Sequence, residues 1–259
     1  MGATYVLVHG AWHSGQVWDR VRPLLEAAGC RTVAPTLTGY GRTAPLMGPD
    51  VGLDTHVDDV VAAIEDADLH DVVLVGHSYA GMVVTSVLDR VPARIAALVY
   101  LDAMVPEDGE TAVDVMPVCQ VFLDHAAATD SPWRIPAPPR TDGGLFGVTD
   151  PDDIAWLEPM ISAGSGLCLR QPARLRDPEA ARVPRTHIHC VGGAEAGPPR
   201  RAVPPVQPDG TPADIRKLDT GHDAMVTVPA ELAALLLDVR RRTATGGTAG
   251  APEGRGSVR

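Results

Sequence analysis

Apolar positions follow two alternating patterns over the first hundred residues. Short β-branched runs at Thr4–Val8, Arg31–Ala34, Asp71–Val75 and Ala96–Leu101 read as strands. Between them, helical spacing predicts helices over Val17–Ala28, Leu53–Ala67 and Tyr79–Arg90. Val17, Val21, Leu24 and Leu25 share one stripe of the first, and Gly29 is placed to close it. Strands that are apolar throughout and separated by helices predict an α/β fold with a parallel sheet buried on both faces. Ligands are then expected at the carboxyl ends of the strands.

The regularity breaks after Leu101. From Val105 to Val183 the chain is rich in Pro and Asp, with short helical patches such as Pro151–Ile161. Met104, Met116, Val121, Phe122, Phe146, Trp156, Leu157 and Met160 still give this stretch apolar surface to bury, so it is expected to be a small, largely helical lid. Strand pattern resumes at Thr186–Val191 and Ile215–Leu218. A last helix is predicted over Pro229–Arg242, with Pro in its first turn and Leu232, Leu235 and Leu236 on one face. The expected organisation is therefore a core from 1–104 and 184–242, a lid from 105–183 and a disordered tail from 243–259.

Composition narrows the function classes. The 259 residues carry 33 Asp and Glu against 22 Lys and Arg, a net charge of −11, which disfavours nucleic acid or an anionic membrane as partner. Cys30, Cys119, Cys168 and Cys190 are widely spaced with no C-x-x-C pair, so neither a metal cluster nor a disulfide framework is expected. No run is apolar enough for a membrane span, and the first residues lack a basic leader, which makes the cytoplasm the default location. A monomer or homodimer is expected.

Candidate chemistry concentrates in Asp71-Val72-Val73-Leu74-Val75-Gly76-His77-Ser78-Tyr79-Ala80-Gly81-Met82. A buried strand running through Gly-x-Ser-x-Ala-Gly into a helix is a nucleophile elbow, where a tight turn exposes the serine hydroxyl. Ala80 occupies the place of the usual second glycine and Gly81 follows it. A nucleophilic Ser78 needs a base and donors for an oxyanion. The backbone N–H groups of Ala11, after the His9-Gly10 turn, and of Tyr79 suit the second task. His9 is expected to brace that turn rather than act as base. His222 is the expected base, because it lies between the last strand and the last helix, after Gly221, which permits a tight turn. His56, His70, His77, His125, His187 and His189 are expected to be structural.

These motifs, with Val6-Leu7-Val8-His9-Gly10-Ala11-Trp12-His13 and Arg22-Pro23-Leu24-Leu25-Glu26-Ala27-Ala28-Gly29, resemble the α/β-hydrolases of the group that holds plant methylesterases, hydroxynitrile lyases and bacterial pyrethroid-type carboxylesterases. The resemblance implies an α/β-hydrolase fold, with the lid inserted after the strand ending at Asp102, and a Ser-His-acid triad. The family pattern puts the acid after the strand at 186–191, where the first carboxylate is Glu195. Other branches put it after the preceding strand, where Asp102 ends an apolar run at the catalytic edge. Asp102 is the expected acid and Glu195 the alternative.

The implied activity is hydrolysis of a carboxylic ester of a hydrophobic small molecule through an acyl-enzyme, without metal or cofactor. Alternatives are an acyl-transfer cyclase or thioesterase-like step, a lyase step, and a ligand-binding member without turnover. Lyase chemistry is disfavoured because Asp223, not lysine, follows His222, and Lys217 is the only lysine. Trp12 and His13, just past the oxyanion turn, are candidates to line the substrate entrance, and Phe146, Trp156 and Met160 to roof it; aromatic residues are only 4% of the chain, which singles out the two tryptophans.

Overall fold

A computed structural model describes residues 2–192 and 201–244. The first strand, β1 (Thr4–Val8), leads through a 3-10 turn at Gly15–Trp18 into α1 (Arg22–Ala27), then β2 (Arg31–Val33). Sequence periodicity predicts one helix over Val17–Ala28, but the chain makes two pieces. Pro23 has no N–H to donate, and its ring would press on the carbonyl of Asp19, so a continuous helix cannot pass through it. Pro23 instead sits in the first turn of α1. The break rotates the apolar stripe: Val17, Val21 and Leu25 are buried, whereas Leu24 is exposed. Gly29 closes α1 in the left-handed conformation at φ +81°, with its N–H on Glu26 O and that of Cys30 on Leu25 O.

Next come α2 (Leu53–Glu65), β3 (Val72–His77), α3 (Ala80–Arg90) and β4 (Ile95–Leu101). The expected lid stretch holds α4 (Ala112–Val115), α5 (Cys119–Ala127), β5 (Arg134–Ile135), α6 (Pro151–Leu157), β6 (Gly164–Ser165) and α7 (Leu167–Arg170). It is thus less helical than its pattern suggests, since β5 and β6 form a small antiparallel ribbon. The chain ends in β7 (Arg185–Cys190), β8 (Asp214–Leu218), α8 (Ala224–Thr227) and α9 (Pro229–Ala244). The expected tail lies outside the described residues beyond Ala244.

Six strands pair in the order β2-β1-β3-β4-β7-β8, each pair parallel. The chain winds outward from β1 to β2, then crosses back to β3 on the other side of β1. The order therefore reverses beside β1, and the carboxyl ends of β1 and β3 flank the crevice where ligands of such sheets bind. Residues along β1 and β3 alternate between two cores. Val6, Val8 and Leu74 pack with Val57, Val60 and Ile64 of α2 and Met82 of α3. Tyr5, Leu7, Val73 and Val75 pack with Leu25 of α1 and Leu232 and Leu236 of α9. Burial on both faces explains why these strands read as unbroken apolar runs.

Candidate active site

The chain passes from β3 to α3 through Ser78, which holds the left-handed conformation at φ +56°. Such a backbone costs about 1–2 kcal/mol outside glycine, so surrounding bonds must hold it. Ser78 N–H donates to Leu101 O (3.2 Å), and Ser78 O accepts from Gly81 (3.1 Å) and Met104 (3.0 Å). Two glycines make the turn sterically possible. A Cβ at Gly76 would lie 2.6 Å from Val84 Cγ2, and one at Gly81 would run into the Met104 carbonyl. The displaced glycine of the motif therefore has a packing role: it admits the chain leaving β4. Ala80 is itself fully buried.

The end of β1 lies against this elbow. A Cβ at Gly10 would stand 2.9 Å from Ser78 Cβ, so glycine lets the Gly10–Ala11 peptide approach the serine. His9 braces the turn, as the sequence suggests: Nδ1–H donates to Gly10 O (2.8 Å) and Nε2 accepts from Leu37 N–H (3.0 Å). Burial pushes its imidazole down to about 3, so it stays neutral. Tyr79 is held from its far end, where its hydroxyl donates to His56 Nδ1 (3.1 Å) and His56 Nε2–H donates to Thr38 O (3.0 Å).

His222 sits in the turn between β8 and α8, and its Nδ1–H donates to Asp102 Oδ2 at 2.7 Å. Asp102 immediately follows β4, also left-handed at φ +44°. Its other oxygen accepts from Cys190 N–H at 3.1 Å, which fixes the carboxylate plane. The Asp102 side chain is 8% exposed and that of His222 30%, so the pair is shielded below and open above. Glu195, the alternative acid, lies outside the described residues. Gly221 lies in this turn without taking the left-handed conformation. It is glycine because Gly147 of the 105–183 stretch packs directly on it.

Of the expected pocket residues, Trp12 has an aromatic neighbourhood. It stacks on Phe146 with centroids 5.9 Å apart and meets Phe122 edge-on at 5.4 Å. Phe122 was visible in the sequence only as an apolar residue to bury. His13 turns inward and is 1% exposed, so it does not line an entrance. Its Nδ1–H donates to Ala11 O (2.7 Å), and Nε2 lies 3.0 Å from Asp223 Oδ2. Trp156 and Met160 pack on the core that lies on the α1 and α9 face of the sheet. Arg20 covers the Trp156 ring at 4.3 Å while bonding Asp153 and Val226 O, so this tryptophan serves the α6–α8 junction.

His77, His222 and Asp223 bring potential metal-ligand atoms within 4.8 Å of one another. Hydrogen bonding already engages two of them. His77 Nε2–H donates to His222 O (3.1 Å), and His222 Nδ1 is held by Asp102. Burial and the neighbouring imidazoles hold His77 well below the ordinary histidine range.

The buried histidines set an acid limit on stability. Burial pushes His9 to about 3 and both His56 and His187 to about 4. The unfolded chain protonates the same groups near the ordinary value of about 6.5, so unfolding takes up protons as the pH drops below it. Stability from these residues is complete above about pH 6.5 and is lost toward pH 4, by about 1 kcal/mol per pH unit for each histidine. Urea midpoints should therefore fall from neutral pH to about pH 5, and constant midpoints would contradict this.

Comparison with known proteins adds the family. The model of the alpha/beta hydrolase family matches residues 5–235. The chain belongs to that family. An esterase of this group from Nocardioides sp. (strain SG-4G), the carbendazim hydrolyzing esterase, is 38% identical across 90% of this chain and 98% of its own. Methylesterase 2 of Arabidopsis thaliana is 33% identical over 72% of this chain and 76% of its own, in keeping with the resemblance to plant methylesterases. An extracellular alpha/beta-hydrolase from a Paenibacillus species superposes with a TM-score of 0.77 at 23% identity, covering 91% of this chain and 98% of that one, and shares the hydrolase fold.

Proposed function

We propose that this alpha/beta hydrolase is a serine carboxylic-ester hydrolase acting on a hydrophobic small molecule. The observation that carries the proposal is the 2.7 Å bond from His222 Nδ1 to Asp102 Oδ2, on the same sheet edge as a left-handed Ser78. The bond leaves Nε2 as the ring nitrogen able to take a proton, which is the tautomer a general base requires. Ser78 Oγ attacks the ester carbonyl while His222 Nε2 accepts its proton. The Ala11 and Tyr79 N–H groups hold the oxyanion. His222 then protonates the departing alcohol, and water, deprotonated by the same nitrogen, attacks the acyl-enzyme and frees Ser78. Asp102 holds the ring and offsets the imidazolium charge.

The 105–183 stretch is proposed to act as a lid. Its Phe122 and Phe146 gather on Trp12 beside the oxyanion turn, and an apolar aromatic lining favours a hydrophobic acyl or alcohol group. Hydrolysis by the Nocardioides relative, whose name gives carbendazim as its substrate, supports a small-molecule ester rather than a macromolecule. Four cysteines spread along the chain with no C-x-x-C pair fit a reducing compartment, and the cytoplasm is the proposed location. Purified protein should turn over aryl esters with hydrophobic acyl groups, and carbendazim is a second probe. Failure on the whole ester panel, with the protein folded, would favour a binding role instead.

A further inference from the structure

Asp223 follows the proposed base in sequence, but its carboxylate reaches other segments. Its side chain is fully buried, and that of His13 is 2% exposed. Ala11 O can only accept, so His13 Nδ1 must carry a hydrogen. One further proton lies between His13 Nε2 and Asp223 Oδ2, 3.0 Å apart. Whichever atom holds it, the pair is neutral overall, which permits burial that neither charge would tolerate alone. Asp223 Oδ1 stands 3.6 Å from His77 Nε2, the nitrogen whose hydrogen goes to His222 O. Asp223 N–H also donates to Phe146 O at 3.2 Å, which joins the 105–183 stretch to the same point.

One residue thus joins three pieces of the site, two through its carboxylate and one through its backbone. His13 lies in the turn that presents the Ala11 N–H, His77 immediately precedes Ser78, and Asp223 is bonded to His222. We propose that the buried His13–Asp223 pair is a positioning unit for ester hydrolysis, locking the oxyanion turn to the base-bearing loop so that both halves of the site keep one relative placement. The proposal rests on the ester-hydrolase reading of Ser78 and His222. Neither member touches the reacting atoms; the pair acts through the Ala11 peptide and the His222 backbone. Loss of such placement costs rate rather than substrate affinity, because attack and oxyanion stabilisation depend on sub-ångström alignment.

A double-mutant cycle on aryl-ester hydrolysis tests this. Asp223→Leu and His13→Phe should each lower kcat about 10- to 100-fold with little change in KM. The double variant should be no worse than the weaker single by more than about threefold, because the two residues act as one unit. It removes both ionisable members together, so neither is left buried without the other and Ala11 O alone loses a donor; once circular dichroism shows it folded, its kcat decides. Asp223→Asn, whose amide can donate to His13 Nε2, should restore kcat to within about threefold of wild type. A double variant with wild-type kcat overturns the proposal, as do single losses that multiply or an Asn variant as slow as the Leu one. Those results leave the nucleophile reading intact, whereas turnover surviving Ser78→Ala would sink that reading and this inference with it.

Discussion

Replacing Ser78 with alanine should remove ester turnover almost completely, by roughly 10,000- to 1,000,000-fold in kcat. The loss is that large because alanine removes the oxygen that attacks the carbonyl. Some acceleration over water should survive, since the Ala11 and Tyr79 amides and the pocket remain. Stability should change little. The Ser78 backbone is fixed by Leu101, Gly81 and Met104 through main-chain atoms alone, and alanine keeps all three bonds. A folded Ser78→Ala protein, checked by circular dichroism and urea unfolding, should therefore be inactive. Turnover above about one-hundredth of wild type would exclude Ser78 as nucleophile.

Asp102→Asn should cost nearly as much, about 1,000- to 10,000-fold in kcat at neutral pH. The local hydrogen bonds explain the mechanism of loss. Cys190 N–H needs an acceptor at the Oδ1 position, so the asparagine oxygen turns toward it and its NH2 toward His222 Nδ1. That nitrogen must then accept, which moves the ring proton to Nε2, where it blocks removal of the serine proton. Geometry is kept while the tautomer is wrong. Glu195→Gln is the control and should stay within about threefold of wild type. A larger loss at Glu195 than at Asp102 would reverse the assignment of the acid.

Legibility of the molecule in its sequence followed the range of each interaction. The strands of the sheet were readable because burial on both faces leaves an unbroken apolar run, and the elbow because its turn constrains neighbouring residues. The break at Asp19–Val21 was readable in principle from Pro23, whose effect reaches four residues back, but the apolar stripe masked it. Asp102 could be picked out as a carboxylate ending an apolar strand, since such a group is costly unless used. The His13–Asp223 pair had no comparable signal. Its members are 210 positions apart, and nothing local to either shows that a buried carboxylate closes on the turn after β1. Trp156 misled for the opposite reason: scarcity suggested a pocket, whereas Arg20 and α6 use the ring as packing surface. Gly221 was legible as a turn glycine, but the close approach of the Gly147 backbone that also requires glycine there leaves no local signal.

The most direct test of the account is the covalent chemistry itself. Wild-type protein treated with a fluorophosphonate should gain one adduct per chain by intact mass, with ester turnover falling in proportion, and peptide mapping should place it on Ser78. An adduct on any other residue, or full inactivation with Ser78 unmodified, would contradict the claim that this serine carries the acyl group.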